Sequence, residues 1–227
     1  MTIVRYLIEY GANIGVDINK HGGTLLSNAC AIGNKAIVKC LVEHGVDINK
    51  GNRYGETPFF NAYSRGKEAI VKYLMKHGVD RNKGKRNGDT PLSIAYKNGH
   101  EAIVYYLVEQ GVDINSIINR YGGETLLFIA CRDGHEAIVK CLVEHGADIN
   151  RINGHGCTPL LFACLRDQDA IVIYLVEHGA DINKEKRNGK TSLFMACKNG
   201  NEVLVKYLVE RGANIHKINY EGGYPFI

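Results

Sequence analysis

The side chains of this chain with the widest chemical range are its 9 histidines and 7 cysteines. His100-Glu101 and His135-Glu136 open like H-E-x-x-H, in which two His one helical turn apart hold zinc and the Glu serves as general base. The fifth positions are Val104 and Val139, so the second ligand is missing and each pair reads as a turn before a helix. Gly189-Lys190-Thr191 ends like a phosphate-cradling loop, but the position of its leading Gly holds Lys184, and Thr191 suits a helix N-cap. His44, His77, His145 and His178 recur one residue before a Gly. Stacked helices lie roughly 8–10 Å apart and Zn–N bonds are ~2.0–2.1 Å, so adjacent rungs share an ion poorly. A partly charged His at the negative end of a helix is the better reading. Cys30, Cys131, Cys164 and Cys197 share one slot and Cys40 and Cys141 another, with Tyr63 and Tyr73 in the same slots elsewhere, which is the behaviour of packing residues. Cys157, just before Thr158, is expected to be exposed and open to oxidation. No catalytic set, cofactor or metal is expected, and the chain reads as a non-enzyme.

These residues recur because the elements that carry them recur. Thr24, Thr57, Thr90, Thr125, Thr158, Thr191 and then Tyr224 follow one another at intervals of 33, 33, 35, 33, 33 and 33 residues. Five residues after each Thr stands Ala (Ala29, Ala62, Ala95, Ala130, Ala163, Ala196), and two before it stands Gly. A locked period means a linear stack of like units. Within one unit, Thr57-Pro58 places an N-cap hydroxyl before a Pro suited to the first helical turn. Leu26, Ala29 and Cys30 give a short helix one apolar stripe, and Gly33 ends it; Ile37, Val38, Leu41 and Val42 mark a second helix that Gly45 ends. Helices of roughly three turns are unstable alone in water, so the units must stabilise one another by stacking. The six alanines are expected to be buried where helices approach closely.

The pattern G-x-T-P-L-x-x-A…I-V-x-Y-L-V-E-x-G-A-D-I-N resembles the ankyrin repeat, whose unit has this length. The resemblance covers nearly the whole chain. It implies an all-α-dominated solenoid of helix-turn-helix units with β-hairpin-like fingers. Six complete units are expected at 24–56, 57–89, 90–124, 125–157, 158–190 and 191–223, with a partial repeat over 1–23, the start of another at 224–227, and one continuous array. The family usually carries His three residues after the Thr; here stand Ser27, Phe60, Ser93, Phe128, Leu161 and Phe194, so apolar packing is expected to replace the hydrogen bonds of that His. Asp167 stands where a helix-ending Gly belongs, and Asp tolerates the left-handed conformation better than most residues.

The resemblance also implies binding of a protein through the fingers and the adjoining concave face. Mapped here, that surface carries Arg53, Tyr54, Arg65, Arg86, Lys97, Arg120, Tyr121, Arg132, Arg166, Arg187, Lys190 and Lys198, against Glu56, Asp89, Glu124 and Asp133. Acidic residues gather instead on the second helices and their exits: Glu43, Asp47, Glu109, Asp113, Glu144, Asp148, Glu177 and Asp181. The net charge is only +4, yet it is segregated by face, which favours a protein partner with an acidic surface. Nucleic acid or another polyanion is the alternative; few aromatics interleave with the basic residues to stack on bases. One connection is longer: Asp113 to Thr125 spans 12 residues against 10 from Asp47 to Thr57. The two extra residues read as an insertion that the finger tolerates; the alternative is that its Ile117 and Ile118 project together as an apolar anchor. Asn49, Asn115, Asn150 and Asn183, each two residues after an Asp, sit in a pattern that ankyrin-like asparaginyl hydroxylase substrates share; the bland role is to close the turn into the finger.

No run approaches the ~20 apolar residues of a membrane span, no secretory leader is evident, and an odd number of cysteines without a Cys-x-x-Cys pair suits the cytosol or nucleus. No terminal unit with a polar outer face is found, so the chain is expected to be a fragment of a longer array or to cap itself imperfectly, with exposed apolar surface around Ile3, Val4 and Leu7 and around the last repeat that favours self-association.

Overall fold

Every complete unit opens on a threonine, and the fold is built from what that threonine does. A computed structural model describes residues 10, 23–81, 89–118 and 122–217. The Thr24 hydroxyl accepts a hydrogen bond from the Ser27 backbone N–H at 3.1 Å and starts α1, Leu25–Ile32. Thr57, Thr90, Thr158 and Thr191 start α3 (Pro58–Ser64), α5 (Pro91–Lys97), α9 (Pro159–Leu165) and α11 (Ser192–Asn199) in the same way. Thr125 precedes α7 (Leu126–Asp133) without a side-chain cap bond. At Thr90 the cap is reciprocal: Ser93 Oγ accepts from the Thr90 N–H at 2.9 Å. Such caps typically contribute ~1 kcal/mol each.

A short turn with one left-handed residue joins each first helix to a second: α2 (Lys35–Glu43), α4 (Glu68–Lys76), α6 (Glu101–Glu109), α8 (Glu136–Glu144), α10 (Asp169–Glu177) and α12 (Glu202–Glu210). Asp167 fills that role as expected, at φ 53°. Its carboxylate accepts from the side-chain amides of Asn199 and Asn201 at 3.1 and 3.2 Å, which holds it there. No strand occurs among the described residues.

The chain divides into two compact units, Met1–Asp113 and Ile114–Ile227. In the first, α1 packs on α3 and α3 on α5, each first helix packs on its own second helix, and α2, α4 and α6 form an outer row. In the second, α7, α9 and α11 stack likewise, with α8 against α10. The alanines lie at the closest approaches: Ala62, Ala95, Ala130, Ala163 and Ala196 are fully buried and Ala29 is 5% exposed. Leucines such as Leu41, Leu74, Leu107, Leu142 and Leu175 fill the space between rows, each contributing about 1.5–3 kcal/mol of burial free energy. Where the usual His is replaced, Phe128 is buried and meets Phe162 of the next repeat edge-on, ring centroids 5.7 Å apart.

The asparagines do not close the turn into the finger, contrary to the expectation from sequence. The turn is closed by the aspartate: Asp47, Asp148 and Asp181 accept the N–H of Asn49, Asn150 and Asn183 at 2.8–3.1 Å. The asparagine side chain crosses to the next repeat. Oδ1 of Asn49, Asn115, Asn150 and Asn183 accepts from the N–H of Asp80, Asp148, Asp181 and Asn214 at 3.2, 2.9, 2.8 and 2.8 Å. Nδ2 of Asn115, Asn150 and Asn183 donates to the carbonyls of Gly146, Gly179 and Gly212 at 3.3, 3.0 and 3.1 Å. Each of these three amides clasps both polar groups of the neighbouring helix exit.

Candidate protein-binding surface

The fingers are short turns closed by backbone bonds and shaped by one side chain. Asn52 N–H donates to the Glu56 carbonyl at 3.0 Å, and Asn52 Oδ1 accepts from the N–H of Tyr54 and Glu56. Asn153 repeats this with Cys157 and His155, and Lys186 N–H closes on Lys190 at 2.9 Å. In the longer connection Ile118 N–H closes on the Glu124 carbonyl at 2.8 Å. That ring spans six residues where the others span four, so the two extra residues lie inside the turn and the stem is unchanged.

This geometry overturns part of the apolar-anchor expectation. Ile118 is buried, 9% exposed, because it occupies the stem position that Asn52 and Asn153 hold elsewhere. Ile117 is 42% exposed and remains the apolar side chain the surface offers here. Arg86, Arg120 and Tyr121 lie outside the described residues, as do Ile3, Val4, Leu7 and residues 224–227.

In the first unit Tyr54 is 48% exposed, with the Arg53 guanidinium 5.6 Å from its ring centre. Tyr54, Glu56, Asn61 and Arg65 border a cleft of about 250 Å³ that runs from the finger to α1 and α3. In the second unit Ile152, Lys184, Lys186 and Arg187 border one of about 450 Å³ between fingers.

The basic residues are not equivalent. Lys97 is tied to Asp89 at 2.7 Å, and Arg132 lies 2.9 Å from Asp133 and 3.9 Å from Glu124. Lys190 lies over the Phe194 ring at 5.1 Å. Arg53, Arg65, Arg166, Arg187 and Lys198 are exposed and pair with no carboxylate among the described residues. The acidic set on second helices and exits is exposed throughout.

The histidine ladder is also explained. His44, His77, His145 and His178 place Nδ1 2.7–2.8 Å from the carbonyls of Cys40, Tyr73, Cys141 and Tyr174, capping the ends of second helices. His100, which opened one protease-like pair, has Nε2 3.2 Å from the Ser64 carbonyl. No His/Cys/Asp/Glu cluster able to hold a metal occurs among the described residues.

All seven cysteines are free. Cys157 is buried, contrary to expectation, because the next finger covers it: the Arg187 side chain and backbone lie within about 3 Å of where a Cβ on neighbouring Gly156 would be. Burial pushes the Cys30 and Cys164 thiols up to about 12 and raises that of Cys131. In native protein at pH 8 a thiol-disulfide reagent is therefore expected to label the half-buried Cys141 and Cys197 first. Labelling of Cys30, Cys131 and Cys164 at the same rate, followed by peptide mapping, would contradict these burials.

The chain belongs to the ankyrin repeat family: the model for three ankyrin repeats matches residues 29–118 and 116–186, and the single ankyrin repeat matches 188–220. Among solved structures it is similar to the crystal structure of the ankyrin repeat domain of Bcl-3, described as a unique member of the IkappaB protein family. The TM-score is 0.79 at 26% identity, over 91% of this chain and 93% of that one. No curated protein sequence matches the chain. Ankyrin repeat domains are generally protein-interaction modules and typically non-catalytic. No described helix is long and apolar enough to cross a membrane.

Proposed function

We propose that this protein is a non-enzymatic scaffold that binds a protein with an acidic surface through its fingers and the ends of its first helices. The observation that carries this is the set Arg53, Arg65, Arg166, Arg187 and Lys198, exposed and without carboxylate partners among the described residues, while the exposed acids Glu43, Glu109, Glu144 and Glu177 lie at the ends of second helices. Unpaired surface cations steer an acidic partner and fix its orientation. Lys97 and Arg132 contribute less, since a partner must compete with Asp89, Asp133 and Glu124. Tyr54 in the first unit, and separately Ile117 in the second, each supply an apolar contact of the kind that a polar rim surrounds in a typical hot spot. Seven cysteines, none of them in a disulfide, support a reducing compartment, cytosol or nucleus.

The test is affinity capture with the whole chain, followed by titration of the captured partner. Arg65→Glu with Arg53→Glu, and separately Arg166→Glu with Arg187→Glu, are expected to weaken binding at least ~10-fold. Ile117→Ser is expected to cost ~2 kcal/mol of binding with the melting temperature unchanged, whereas Ile118→Ser destabilises the stem. Retention of full affinity in all three surface variants would remove this surface from consideration. Hydroxylation of Asn49, Asn115, Asn150 or Asn183 remains a proposal of the sequence pattern, and it requires the inter-repeat bonds of the amide to open.

A further inference from the structure

The six second helices follow a charge rule. Their first residue is Glu68, Glu101, Glu136, Asp169 or Glu202, and their last is Glu43, Glu109, Glu144, Glu177 or Glu210. The rule is broken twice, by Lys35 at the start of α2 and by Lys76 at the end of α4. Both reversals border one groove of about 500 Å³ on the outer row of the first unit, where Lys39 and Lys72 join them. Neither reversal is explained by an internal ion pair: among the described residues no carboxylate pairs with Lys35, Lys39 or Lys76. Lys72 alone is paired, with Glu68 at 2.6 Å. Counting Glu68, which borders the groove, and Glu43 and Glu109, which act on its Tyr73 and Lys72, four lysines leave a net charge of +1.

We infer that this groove is a second docking surface, for an acidic extended segment of a partner protein. A nine-residue helix is about 13.5 Å long, enough for about four extended residues at ~3.3 Å each. Lysines present mobile point charges and not a planar fork, which suits a run of carboxylates. Base stacking is blocked, because the Tyr73 ring lies against His77 (centroids 4.0 Å apart) and under the Lys39 ammonium at 5.9 Å. A lipid surface finds no large exposed apolar side chain in the lining to insert. The groove shares no residue with the finger clefts, so substitutions in one leave the lining of the other intact.

The experiment titrates the intact chain into fluorescently labelled hexaglutamate and follows anisotropy at two salt concentrations. Lys35→Glu with Lys76→Glu restores the residue type of the other repeats, so the fold is retained; circular dichroism confirms this. Affinity is expected to fall at least ~10-fold. Lys140→Glu with Lys206→Glu makes the same change in net charge on outer helices of the second unit, and is expected to change affinity less than ~2-fold, since neither lysine lines the groove and exposed charges outside it are screened by salt. An equal loss in both double variants, or no binding of the peptide, overturns the inference. Tighter binding of a single-stranded oligonucleotide or of phosphatidylserine-rich vesicles, with the same dependence on Lys35 and Lys76, overturns the assignment to an acidic peptide.

Discussion

Asn150→Ala with Asn183→Ala lowers the stability of the second unit by ~2–4 kcal/mol. Each substitution removes a bond from the next repeat's N–H and one to its glycine carbonyl, at 2.8–3.1 Å. Neutral hydrogen bonds contribute about 0.5–1.5 kcal/mol net apiece. The sites are exposed, so water takes over part of the vacated bonding, and the lower half of the range is expected at high water activity. Urea unfolding followed by circular dichroism reads the loss. Amide hydrogen exchange of the native protein should show the Asp181 and Asn214 N–H losing protection while helix interiors keep theirs. A midpoint unchanged from wild type, or protection unchanged at those two amides, would mean the clasp adds nothing beyond the apolar stack.

Ala163→Leu is expected to cost ~1–3 kcal/mol. Ala163 is fully buried on α9, which packs against α7, α10 and α11. Three neighbours leave no direction in which extra methylenes can go without moving a helix. The Leu175→Ala change on α10 makes the opposite error, removing a fully buried side chain, at a cost of ~2–5 kcal/mol. If Ala163→Leu is neutral while Leu175→Ala is not, then the first-helix row yields more readily than close packing allows.

Elements whose causes are local were legible before the structure. A Thr followed by an apolar stripe and a Gly specifies a capped helix and its stop, and the six alanines and Asp167 behave as their positions imply. The unread features each depend on a residue far along the chain. Asp-Ile-Asn is indistinguishable locally from a self-contained turn; that the amide reaches forward is visible only because Asp148 comes to lie 2.9 Å from Asn115. Cys157 precedes a cap in a polar finger, and nothing near it in sequence announces the Arg187 that covers its neighbour. Counting charge by position treated Lys97 and Arg132 like Arg65, whereas ion pairs to Asp89 and Asp133 set them apart. Ile118 is buried because the stem bond to Glu124 sets its register, and nothing near it in sequence marks that bond.

That stem bond has a bearing on how such a chain can change over generations. The turn beginning at Ile118 is two residues longer than its counterparts and yet closes on the same kind of backbone pair. The added length falls in sequence between the two ends of that bond, so a new contact surface and a sound scaffold are not competing demands at that place. Since lengthening a loop costs only tenths of a kcal/mol, tips of this kind are where a repertoire of recognition sequences can be tried on one unaltered frame, much as hypervariable loops are displayed on an immunoglobulin sandwich.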